Sequence, residues 1–323
     1  MPLTFAQGIL TCVCWTNSIY LRGKMTTNLK SLKTPLRYPG GKSRAIKYLD
    51  TQLPKGFTEF RETFLGGGSM ALHITKQNPD VKVWVNDKYY NLYNFWVQLR
   101  DNGERLHEEL LRIKTPMVYR TKELRKNKVP KDQWNQSILD NIQKHRELFN
   151  KAKVDIKTAD DFTKAVLFYI LNKCSFSGLG ETSSFSAQAS EQNFSVKGID
   201  KLPTYSKLIQ NWKITNLDYD EVLNAPSNEK CFVFLDPPYD IKDNLYGKNG
   251  NMHSGFDHMR FFNDVDKCRH DWMITYNSNE VLRERFSDYY CNDWELTYTM
   301  RSTGNYLKDQ KDRKELLVTS YKR

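Results

Sequence analysis

The sequence predicts an α/β protein, a parallel sheet flanked by helices and interrupted by a helical insertion. Three observations predict it. Strand-like and helical runs alternate between residues 59 and 100, a glycine cluster separates the first strand from its helix, and the alternation stops near 105 and resumes after about 205.

Taken in order, residues 44–52 have helical spacing, with Ile46 and Leu49 one turn apart. "EFRETF" (59–64) reads as a strand, "LGGGS" (65–69) as a turn and "MALHITKQ" (70–77) as a helix. "VKVWVND" (81–87) alternates Val81, Val83 and Val85 on one face, a second strand. "YYNLYNFWVQLR" (89–100) is an aromatic-rich helix. Residues 112–153 then carry twelve Lys/Arg against four Asp/Glu, a net of +8, and read as surface-lying helix. "FTKAVLFYILNK" (162–173) is a buried helix, and 175–198 is a Ser/Gly-rich loop. The strand pattern returns at 212–218, 231–239, 272–277, 294–300 and 314–321. This organisation predicts an N-terminal extension (1–24), a sheet domain built from 25–104 and 206–323, and an inserted unit at 105–205.

The 323 residues include 49 Lys plus Arg and 38 Asp plus Glu, a net charge of +11. That surplus favours an anionic partner, nucleic acid before a membrane surface. No stretch approaches the roughly 20 apolar residues that span a bilayer. The six cysteines are scattered, with no zinc-finger spacing, so no metal site is expected. A reduced, cytoplasmic protein is the expectation.

Four places carry chemistry. At "FLGGGS", Gly66, Gly67 and Gly68 leave no Cβ between a ligand and the backbone, although a simple tight turn has the same composition. Asp87 ends the next strand, about 20 residues on, where nucleotide-binding α/β folds place a carboxylate for ribose hydroxyls. Its plainer role is a helix N-cap. "RYPGGKS" (37–43) is no P-loop, because Leu36 stands where a glycine is required, but it suits a ligand-touching turn.

"DPPY" (236–239) comes directly after the apolar run "CFVFL". Two prolines end the strand and stiffen the chain beyond it. The amino group of a ring such as adenine is a poor nucleophile, since its lone pair is delocalised. A carboxylate and a backbone carbonyl accepting its hydrogen bonds aim that lone pair at an electrophile, and an aromatic ring stacks on the base. The plainer account is a strand-ending turn with a buried tyrosine.

These pieces resemble the DNA adenine methylase (Dam-like) family of N6-adenine-specific DNA methyltransferases. The resemblance lies in "LRYPGGKSRAIKYL" (36–49), "ETFLGGGSMALH" (62–73), "VNDKYYNLYNFW" (85–96), "YILNKCSFSGL" (169–179), "FVFLDPPY" (232–239) and "MRSTGN…KELLVTSY" (300–321). It implies a Rossmann-like methyltransferase fold and S-adenosyl-L-methionine as methyl donor. It implies a cofactor site at Tyr38, Lys42, Phe64, Gly66, Gly68, Asp87 and Asp236, and an adenine held by Asp236, Pro237 and Tyr239. The insertion becomes the target-recognition unit for double-stranded DNA. Lys126, Lys128, Lys131 and Arg301 are the expected DNA contacts, and a cognate restriction endonuclease is an expected companion. The family's arginine- and asparagine-bearing loop is replaced by "GETSSFSAQASEQNFSVKG", which leaves the recognised sequence open. Methylation of another conjugated amine (cytosine N4, RNA adenine, a protein glutamine) and an inactive DNA-binding relative are the alternatives. Aspartate at 236 favours adenine by family analogy. The absence of a Pro-Cys dipeptide excludes cytosine-C5 chemistry.

Overall fold

All five side chains of Cys231–Leu235 are buried, as a strand covered on both faces requires. Phe232 and Phe234 join one apolar cluster, and Cys231, Val233 and Leu235 join another, so this strand divides two cores. The computed structural model describes residues 32–38, 40–176, 178, 180–238, 256–278, 280–295 and 314–322. After a 3-10 turn at Lys42–Arg44 come helix α1 (Ile46–Asp50), strand β1 (Glu59–Glu62), α2 (Ser69–Gln77), β2 (Lys82–Asn86) and α3 (Tyr90–Asp101). A helical stretch is next: α4 (Gly103–Lys114), α5 (Lys122–Lys126), α6 (Gln136–Asp155), α7 (Asp161–Cys174), α8 (Ala187–Gln192), α9 (Val196–Ile199) and α10 (Leu202–Leu208). The sheet resumes with β3 (Trp212–Thr215), α11 (Tyr219–Leu223), β4 (Cys231–Leu235), α12 (His258–Lys267), β5 (Asp271–Asn277), α13 (Glu280–Arg285), β6 (Tyr290–Glu295) and β7 (Lys314–Thr319).

The strand order is β3-β2-β1-β4-β5-β7-β6. The first five are parallel, and β7 lies antiparallel between β5 and β6. The order reverses between β1 and β4. Helices α2 and α3 pack with Phe60, Val85 and Phe232 on one face, while α11 and α12 pack with Val233, Leu235 and Ile274 on the other. A crevice opens at such a reversal, past the carboxyl ends of the strands.

The inserted helices share the first core. Phe149, Phe168 and Phe194 belong to the same cluster as Phe60 and Phe232. One of the cations counted in 112–153 faces inward: Lys114 is buried and donates to His145 Nε2 (2.9 Å) and the Ser190 carbonyl (3.2 Å).

Three readings of the sequence change. The helix expected at 44–52 is a 3-10 turn followed by the short α1. The expected loop 175–198 contains α8 and α9, because Ser186 and Ser195 accept hydrogen bonds from Ala189 N and Gly198 N and so cap them. The strand expected to begin at 294 starts at Tyr290, and residues 296–300 lie outside the described residues. Residues 1–24, the expected extension, also lie outside them. Among the described residues, Cys174, Cys231, Cys268 and Cys291 are free thiols.

In the central strand β1, buried Arg61 holds the end of α11 and the segment that leads on to β4. Its guanidinium donates to the carbonyls of Val222 (2.9 Å), Ala225 (2.6 Å) and Pro226 (3.2 Å) and to Glu59 (2.6 Å). Arg61→Leu strands these acceptors and is expected to cost about 3–5 kcal/mol. Urea unfolding measures it; a loss below about 1 kcal/mol would mean that water replaces the guanidinium.

Candidate active site at the carboxyl edge of the sheet

The crevice between β1 and β4 is a cavity of about 550 Å³, within the usual range of small-molecule sites. Its floor is the loop after β1. Gly66 and Gly68 have φ of 49° and 65°, the left-handed region. Close neighbours also require their small size: a Cβ on Gly66 would meet the Tyr38 ring at 2.9 Å, and one on Gly68 the Trp96 ring at 2.8 Å. Trp96 Nε1 donates to the Gly66 carbonyl (3.2 Å), and Thr34 Oγ1 donates to that of Gly67.

Asp87 ties this loop to β2. Its Oδ2 accepts from Gly66 N and its Oδ1 from Tyr89 N, both at 2.9 Å. It thus braces the turn into α3 and also lines the cavity. Burial pushes its carboxyl up to about 6, against the pull of the two N–H bonds.

Across the crevice, Lys42 is 3% exposed and its Nζ lies 2.8 Å from Asp236 Oδ1. Thr275 Oγ1 donates to the same oxygen at 2.9 Å. Asp236 Oδ2 has no partner among the described residues, so one oxygen is fixed and the other is available to a ligand. Pro237 and Pro238 extend the wall, and the Pro238 carbonyl accepts from Tyr276 Oη (3.3 Å).

The structure brings Tyr38, Lys42, Phe64, Gly66, Gly68, Asp87, Asp236 and Pro237 to one cavity. Tyr239 and Arg301 lie outside the described residues. Lys126, Lys128 and Lys131 are exposed. Their segment is anchored: Thr121 N donates to Glu191 (2.6 Å), and Trp134 Nε1 to the Val129 carbonyl (3.0 Å).

Sequence reasoning missed Glu62, Asp218, Tyr219, Phe256 and Arg260, all of which line the cavity. Asp218 had a legible signal, because it follows β3 as Asp87 follows β2. Tyr219 stacks on Phe64 with ring centroids 5.5 Å apart, and Phe256 meets both rings, which makes an aromatic corner. Arg260 closes it by pairing with Asp218 (3.0 Å) and Asp220 (2.9 Å). Glu62 is buried at the end of β1, and its Oε2 accepts from Ala71 N (2.9 Å). Burial pushes its carboxyl well above the usual range; the Ala71 bond opposes this, and Asp236 and Asp87 add to it.

The insertion is stitched to both banks of the crevice. Asn172 of α7 accepts from Arg37 N (2.9 Å) and donates to the Arg37 carbonyl (2.7 Å). Glu181 accepts from Tyr89 Oη and from Asn91 Nδ2 (2.7 Å). Among the described residues, no group of three or more His, Cys, Asp and Glu side chains is placed to hold a metal ion.

The family model of the D12 class N6 adenine-specific DNA methyltransferases matches residues 38–300. The type II methyltransferase M.MjaIII of Methanocaldococcus jannaschii is 26% identical over 217 residues, 64% of this chain and 69% of its own length. The type II methyltransferase M1.LlaDCHI of Lactococcus lactis subsp. cremoris is 24% identical, over 91% of this chain and 97% of its own. The type II methyltransferase M.CviBI of Paramecium bursaria Chlorella virus NC1A is 22% identical, over 90% of this chain and 100% of its own.

The state of Asp87 gives a pH signature. Between about pH 4 and 6 the native carboxyl keeps a proton that the unfolded chain has released. Its contribution to stability is therefore full below that window and is lost as pH rises through it. Urea unfolding against pH should show a flatter profile for Asp87→Asn than for wild type; parallel profiles would refute a raised native value.

Proposed function

This chain belongs to the D12 class of N6 adenine-specific DNA methyltransferases and methylates adenine in DNA at specific sites; we propose that it does so in the crevice between β1 and β4, with S-adenosyl-L-methionine as donor. The residues fit that donor. Asp87, buried beside the glycine loop, suits ribose hydroxyls, and Tyr38 packs over that loop. The aromatic corner of Phe64, Tyr219 and Phe256 suits a purine, with the Asp218 carboxylate beside it for an exocyclic amine. When bound, the donor supplies a methyl group made electrophilic by the sulfonium.

The observation that carries the reading is the fixed Lys42–Asp236 pair, with one aspartate oxygen left to the cavity. The target amino group is paired inside the duplex, so the adenine must leave the stack to reach it. Asp236 Oδ2 accepts one amino N–H, and a proline-segment carbonyl accepts the other. That draws the nitrogen toward tetrahedral geometry and aims its lone pair. Asp236 then takes the proton that the methylated nitrogen sheds. Lys42 and Thr275 hold the carboxylate, so little reorganisation is needed during transfer. Tyr239, directly after Pro238, supplies the ring that stacks on the base.

The insertion at 105–205 reads the DNA. Phosphates fix its register and base edges give specificity. Lys126, Lys128, Lys131 and Arg301 are assigned to the duplex; the exposure of the three lysines on an anchored segment supports this. The likeness to relatives named type II methyltransferases supports a companion restriction endonuclease, and DNA as substrate supports a cytoplasmic site of action. No helix among the described residues is long and apolar enough to cross a membrane.

Asp236→Ala should reduce methyl transfer by at least about 100-fold, the scale of losing one preorganised transition-state contact. Radiolabelled transfer to DNA measures it, and circular dichroism checks the fold; near-wild-type activity in a folded variant would sink the assignment. Changing Lys126, Lys128 and Lys131 to Gln should weaken binding to cognate and random duplexes alike. The salt dependence should flatten by about 0.9 per lost phosphate contact. Unchanged slopes would leave these lysines as a solvated face.

A further inference from the structure

Glu62, Asp87 and Asp236 line one cavity, and the buried cation among them, Lys42, is committed to Asp236. On the rim, Lys88 and Arg260 face Asp218, at 3.6 and 3.0 Å. Glu62 is nearly fully buried, and its Oε1 has no partner among the described residues. A carboxyl group in that position needs a reason beyond packing.

The register of the sheet shows where Glu62 lies. It pairs with Val85 of β2 and Phe234 of β4. Asp87 and Asp236 stand two residues past those partners. Glu62 is therefore flanked by the proposed ribose acid and the transfer acid, one pleat below them. The sulfur of a donor laid from Asp87 to Asp236 must pass between those two acids. Glu62 is the carboxyl beneath that span.

We propose that Glu62 makes the cavity prefer a cationic sulfonium over the neutral thioether left after methyl transfer. Its carboxyl loses a proton to solvent when a positive charge lies between Asp87 and Asp236, and regains one when that charge is gone. The proposal rests on reading the cavity as the donor site.

A nearby positive charge favours the ionised form, while burial and like charges favour the protonated one. In the ligand-free cavity burial raises the Glu62 carboxyl, Asp236 and Asp87 add to that, and the Ala71 bond opposes it. A bound sulfonium reverses the balance and a bound thioether does not. Donor binding is then strengthened by a newly formed anion. After transfer the anion has no counter-charge, protonates, and the product is held less tightly.

The competing role for Glu62 is structural. Gly68 stands at the N-cap of α2 with no side chain to offer, and Glu62 Oε2 meets Ala71 N in its place. Glu62→Gln separates the two roles, because an amide keeps the acceptor for Ala71 N but cannot ionise.

The test is isothermal titration of wild type and Glu62→Gln with S-adenosylmethionine and with S-adenosylhomocysteine. It is run between pH 6.5 and 8.5 in two buffers of different ionisation enthalpy. Wild type should release about one more proton with the sulfonium than with the thioether. Asp87, with its carboxyl at about 6, is already ionised toward pH 8.5, so its own titration adds little to that difference at the upper end of the range. In Glu62→Gln the difference should vanish, and the affinity ratio should move toward the thioether by about tenfold or more. Equal proton release for both ligands in wild type, or an unchanged ratio in a folded variant, would overturn the proposal and leave Glu62 as a helix cap. The wild-type measurement stands alone should the variant not fold. Binding of neither ligand by wild type would instead overturn the reading of the cavity as a donor site, a different failure.

Discussion

The contact on which the site depends is the ion pair between Lys42 and Asp236. It joins a turn near the start of the described chain to the end of β4 and closes the crevice where the strand order reverses. The lysine is almost wholly buried, so an unpaired ammonium there would carry a desolvation cost of several kcal/mol, of order 3–5 on loss of its partner. That cost fixes the position of the turn, and the turn carries Tyr38, whose ring lies over the glycine loop. A single pairing thus sets the distance between the glycine floor and the proline wall. Its second consequence is electrostatic. With Lys42 engaged, the remaining carboxylates give the cavity an acidic character, in a protein whose net charge is +11.

That contrast divides the molecule by task. A basic surface favours a polyanion, whereas the carboxylates that line the cavity favour a small cationic ligand. The insertion does not hang free between these regions. Asn172 holds the backbone of Arg37 on one bank, and Glu181 holds Tyr89 and Asn91 on the other. Tyr89 N in turn bonds Asp87, which bonds Gly66 N. A short hydrogen-bonded path therefore runs from the Ser/Gly segment of the insertion to the glycine loop.

The strand-end motifs were legible because each is local. Gly66–Gly68, Asp87 and Asp236 sit where a strand stops, and a stop is visible in composition. Glu62 was not legible: an acid within a strand reads as its solvent side, and only the docking of α2 buries it. Tyr219, Phe256 and Arg260 come from segments that cross the other face of the sheet, so their approach to Phe64 depends on topology. The placement of β7 between β5 and β6 is equally non-local. The serines of 175–198 looked like loop composition, but Ser186 and Ser195 act as helix caps, a role that composition does not distinguish.

The most direct test of the whole account reads modified bases, with their sequence context, in DNA from cells expressing either the wild-type chain or Lys42→Met. Long-read sequencing reports both at once. Wild type should place N6-methyladenine in one recurrent sequence context, and Lys42→Met, expressed to the same level, should leave that context unmodified. Methylation in the Lys42→Met cells, or a wild-type mark on cytosine instead of adenine, would contradict the account.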